Sequence, residues 1–98
     1  MSDMIIQVHG LLDFIEQSLL DGIQRPDTLA ECLSEADCAL RVLKKLVRQD
    51  DMLCARFAVS AISNIRFFEI AQFKTLADRD EALNQKLQFI AAAKETLA

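Results

Sequence analysis

The chain has 98 residues, 52% of them hydrophobic and 27% charged, with two glycines, one proline and neither tryptophan nor tyrosine. Turn-forming residues are too scarce for many strands, and a chain of this length buries about two thirds of the surface its unfolded form exposes, so one all-α domain over residues 1–98 is expected. Fifteen acidic against eleven basic side chains give a formal charge of −4, which opposes indiscriminate nucleic-acid binding because every phosphate contact works against the net field.

Ser2 or Asp3 is placed to cap a first helix, whose apolar residues Met4, Ile5, Val8, Leu11, Leu12, Ile15, Leu19 and Ile23 fall within one arc of a 3.6-residue wheel. The helix is predicted over about residues 3–22. Gly22 suits a left-handed cap, and Arg25 before Pro26 is pushed out of the helical region. Gly10 lies inside and weakens the helix by about 1 kcal/mol relative to alanine, unless its missing side chain admits another backbone.

Thr28 followed by Glu31 has the pattern of a capping box, so a second helix is predicted from residue 28 to 49. Leu29, Leu33, Ala36, Leu40, Leu43 and Val47 are spaced as a heptad seam, with Cys32, Ala39 and Leu46 on one flank. The outer face runs from Glu31, Glu35 and Asp37 to Arg41, Lys44, Lys45 and Arg48, negative then positive as the helix dipole favours.

Asp50 and Asp51 offer the next cap, and the chain from Met52 to Ala77 has no proline or glycine. A central helix with more than one apolar face is predicted there. A fourth helix beginning near Asp78 or Asp80 would place Leu83, Leu87, Ile90 and Leu97 on one stripe, with Ala82, Phe89 and Ala93 beside it. The whole is a small antiparallel bundle of about four helices, or three if residues 51–97 run on as one.

Phosphate-cradling loops need closely spaced glycines, which Gly10 and Gly22 cannot supply. His9 with Asp13 and Glu16 has a spacing that could ligate a divalent metal, though such a set is more simply a solvated helix face. Cys32, Cys38 and Cys54 are odd in number and spaced by 6 and 16 residues, so neither a disulfide framework nor a zinc clamp follows. Cys38 is surrounded by Glu35, Asp37 and Arg41 rather than by a base. No cofactor, no metal and no enzymatic activity are expected.

Two surface features point to a partner. Residues 1–40 hold eight acidic side chains against Arg25 alone, a net of −7, whereas residues 41–66 hold six basic side chains against Asp50 and Asp51, a net of +4. Arg41, Lys44, Lys45, Arg48 and Arg56 thus form a basic end suited to an anionic surface. The stray hydrophobes Ile6, Leu20, Phe67 and Ile70 lie off the main stripes, as Phe14 does at the edge of one, and exceed what a monomer of this size readily encloses. A small bacterial or phage-encoded interaction module is therefore expected, acting as a regulator, adaptor or chaperone on another protein and forming a homodimer. The alternative is a nucleic-acid-associated regulator using the basic 41–56 segment. No basic leader or long apolar run occurs, so neither a signal peptide nor a membrane span is expected, and the cytoplasm, where thiols stay reduced, is the expected address.

Overall fold

A computed structural model of the chain describes residues 3–51 and 75–97. Among these residues the protein is all-α, as its composition requires: α1 spans Asp3–Gln24, α2 spans Leu29–Arg48 and α3 spans Leu76–Leu97, with a short 3-10 turn at Pro26–Thr28. Most of the predicted central helix, from Met52 on, falls outside the described residues.

The joint between α1 and α2 is tighter than the sequence suggests. The Arg25 amide closes the last turn of α1 onto the Asp21 carbonyl at 2.8 Å, and Arg25 then adopts extended angles (φ −129°, ψ 80°) before Pro26, as the proline ring demands. Pro26 starts the 3-10 turn, where its missing amide costs nothing. The predicted capping box does not form. The Thr28 hydroxyl donates to the Arg25 carbonyl at 2.9 Å, its oxygen lies 3.8 Å from Cys32 Sγ, and it makes no side-chain cap bond to an α2 amide; the Leu29 amide at the head of α2 bonds the Pro26 carbonyl.

Gly22 is not a left-handed cap either: α1 continues through it to Gln24. It is buried, and a Cβ there would lie 2.7 Å from Leu29 Cδ1 and 3.7 Å from Cys32 Cβ. The glycine lets the start of α2 approach the end of α1. Gly10, by contrast, is exposed and has nothing within 4 Å of its would-be Cβ among the described residues.

The heptad seam of α2 is buried throughout, from Leu29 to Val47, with Ala39 beside it and Cys32 and Leu46 half-buried on the flank. Val8, Leu12, Ile15 and Leu19 of α1 face it, and Leu83, Ile90 and Ala93 of α3 complete the same core. Each fully buried Leu or Ile contributes about 1.5–3 kcal/mol relative to exposure. Both α2 and α3 pack against α1, and neither makes a comparable contact with the other.

Thr75 is a bend and caps α3: the Asp78 amide donates to Thr75 Oγ1 and the Arg79 amide to the Thr75 carbonyl, each at 3.1 Å. The chain therefore breaks before Leu76, a few residues earlier than predicted, and an uninterrupted helix over 51–97 is ruled out. No helix among the described residues is long and apolar enough to cross a membrane.

Candidate functional site

The acidic face of α1 has a structural partner that its own spacing does not disclose. Lys94 of α3 reaches back to Asp13 Oδ1 at 2.5 Å and Glu16 Oε1 at 3.1 Å, so two of the three residues that resembled metal ligands hold a lysine instead. No group of three or more metal-binding side chains occurs among the described residues. The hydrogen bond from Lys94 holds the Asp13 carboxyl below its ordinary value, against the opposing effect of burial and with lesser help from the charges of Lys94 and His9. The same bond raises Lys94 above the usual ammonium value, against its partial burial, and Glu16 adds to the rise.

The sign of the resulting pH dependence follows. A depressed carboxylate contributes stability above its unfolded pKa of about 3.9 and loses it as the pH falls through the lower folded value. A raised lysine contributes fully below its unfolded pKa of about 10.4 and loses the contribution as the pH rises through the higher folded value. Lys94→Met should therefore lower the unfolding free energy obtained from urea denaturation at neutral pH, by less than about 1 kcal/mol because the pair is solvent-screened. The gap should shrink in strong acid and strong alkali. A gap that persisted unchanged in acid would assign the loss to packing of the lysine stem.

On its other flank α1 forms an open groove with α2, about 450 Å³ in volume and lined by Leu11, Phe14, Ser34, Glu35, Cys38, Ala39 and Val42. The surface is almost wholly apolar, and Phe14 and Val42 in its lining remain 47% and 49% exposed. Phe14 stays exposed because it lies one step beyond the Leu11 edge of the core arc. Val42 was not singled out by periodicity, because it lies on the otherwise polar face of α2, and only the juxtaposition with Phe14 makes it part of a patch. A second and more polar groove, between α1 and α3, contains Glu16, Leu20, Asn84 and Leu87.

The residues named from sequence as partner-binding are dispersed. Ile6 and Leu20 are exposed as expected, at 57% and 36%, but Ile6 does not line the α1–α2 groove and Leu20 lies on the α3 side. Phe67, Ile70 and Arg56 fall outside the described residues. In the basic end, Lys45 and Arg48 are exposed and Lys44 is half-buried, whereas Arg41 is drawn to Asp37 one turn earlier at 3.1 Å. The sequence reading missed the groove itself and the Lys94 clamp, both of which depend on which helices become neighbours. No family model, curated protein or solved structure matches the chain.

Proposed function

We propose that the chain is a protein–protein interaction module, acting as a regulator, adaptor or chaperone, that seats apolar side chains of a partner in the groove between α1 and α2. The observation that carries this reading is that exposed Phe14 and Val42 line one groove together with Leu11 and Ala39. Contiguous apolar surface of this kind marks contact sites more often than scattered hydrophobes do, and an exposed aromatic residue is a typical anchor. The groove offers one carboxylate, Glu35, one hydroxyl and one thiol, a set better suited to holding a partner than to turning over a substrate. A reducing compartment such as the cytoplasm suits the exposed Cys38 thiol.

Paired baits test the proposal. Wild-type protein and the Phe14→Asp variant, shown by circular dichroism to be equally helical, are exposed to the same cell extract. Proteins retained by the first and lost by the second, further copies of this chain included, are expected; identical sets, with this chain counted among them, would remove the reading. The nucleic-acid alternative has less support, since Arg41 is occupied by Asp37 and Glu31 and Glu35 share the face with Lys45. Retardation of duplex DNA that needed Lys45 and Arg48 would favour it instead.

A further inference from the structure

The outer face of α2 carries a second heptad stripe. Glu31, Glu35, Cys38, Val42, Lys45 and Gln49 recur at spacings of four, three, four, three and four residues, opposite the buried seam, and all six are exposed. The stripe is acidic at its amino end, uncharged in the middle and basic towards its carboxyl end. Such an order complements itself when the helix is reversed.

We propose that a second copy of this chain packs antiparallel against this stripe, about a two-fold axis at the level of Leu40. Cys38 then lies against Val42 of the second copy, Glu35 against its Lys45, and Glu31 against its Gln49, each contact occurring twice as a two-fold interface requires. The inference rests on the α1–α2 groove being a protein-binding surface, and it names the occupant. Charge selects both the orientation and the partner. A parallel pair would set Glu35 on Glu35 and Lys45 on Lys45, whereas the antiparallel pair joins unlike charges at both ends. Inside the chain, Asp37 and Arg41 neutralise each other at 3.1 Å, but neither Glu35 nor Lys45 has an ion pair among the described residues. Both side chains are exposed and so open to a charge on a second molecule. Phe14 borders the same groove as Glu35, Cys38 and Val42, so the incoming helix is bracketed by α1 as well as resting on α2.

Light scattering coupled to size exclusion, followed by sedimentation equilibrium, decides the matter. Wild-type protein at tens of micromolar should have twice the 11.0 kDa chain mass, and Val42→Glu should halve it without loss of helicity. The single reversals Glu35→Lys and Lys45→Glu should each weaken the dimer by about tenfold or more, while the double variant E35K/K45E, which restores an acid-to-base order in the opposite sense, should dimerise nearly as well as wild type. A dimer indifferent to the single reversals, or a double variant no better than either single, overturns the antiparallel register. A monomeric wild type overturns the second copy as occupant. If that monomer still lost captured proteins on Phe14→Asp, the groove would remain a binding surface for a different protein, so failure of the dimer and failure of the interaction module are separable.

Discussion

Leu40→Ala is expected to lower the stability of the fold by about 2–5 kcal/mol. Leu40 is 2% exposed, one turn from Ala36 on the α2 seam and within the core shared by α1 and α3. Removing its branched end takes away transfer free energy and leaves a void between helices that can close only by moving whole elements. Domains of this size are stable by only about 5–15 kcal/mol, so the substitution should lower the melting temperature by more than about 10 °C. Arg48→Ala, eight residues on and exposed, should change stability by no more than about 0.5 kcal/mol. Thermal denaturation of the two variants side by side checks the assignment of faces, and equal shifts would contradict it.

Gly22→Leu should be the other severe change, costing about 2–3 kcal/mol, while Gly10→Ala in the same helix should stabilise by about 0.5–1 kcal/mol. Both positions lie within α1, so replacing glycine brings a similar gain in helix propensity at each. What separates them is the neighbour. A Cβ at Gly22 already comes within 2.7 Å of Leu29 Cδ1, and the rest of a leucine would press on a buried side chain that helps to seat α2. At Gly10 the side chain meets open space among the described residues. Urea denaturation of the two variants should move the midpoint in opposite directions. A shift of the same sign in both would mean that the joint at Leu29 yields more readily than close packing implies.

The helices themselves were legible because burial writes a period into the sequence. Leu29, Leu33, Ala36, Leu40, Leu43 and Val47 are all buried as their spacing requires, and Ile6, Phe14 and Leu20 are exposed as theirs requires. Ends were less legible, since several residues compete to satisfy the same amides. Thr28 has the composition of a cap, yet its hydroxyl turns back to the Arg25 carbonyl and makes no side-chain cap bond to α2. Thr75 caps α3 through the Asp78 amide, and its Thr-x-x-Asp spacing was available in the sequence but lay behind more conspicuous acidic residues. The Lys94 clamp and the Phe14–Val42 groove were not legible at all, because each joins residues from different helices and no local period records which helices become neighbours. Reading Asp13 and Glu16 as a solvated face understated them for the same reason.

The position of α1 between its two neighbours has a consequence for how the chain finds its shape. Its contact with α2 closes across a three-residue turn, whereas the Asp13–Lys94 bridge joins positions 81 apart in the chain. The entropy of closing the longer loop must be met before any α1–α3 contact rewards it. Among the described helices the α1–α2 hairpin is therefore expected to form before α3 docks on α1. In the finished protein α3 is therefore the one among the described helices whose release costs least, and the stripe of Val8, Leu12, Ile15 and Leu19 keeps its α2 neighbour when α3 lifts away.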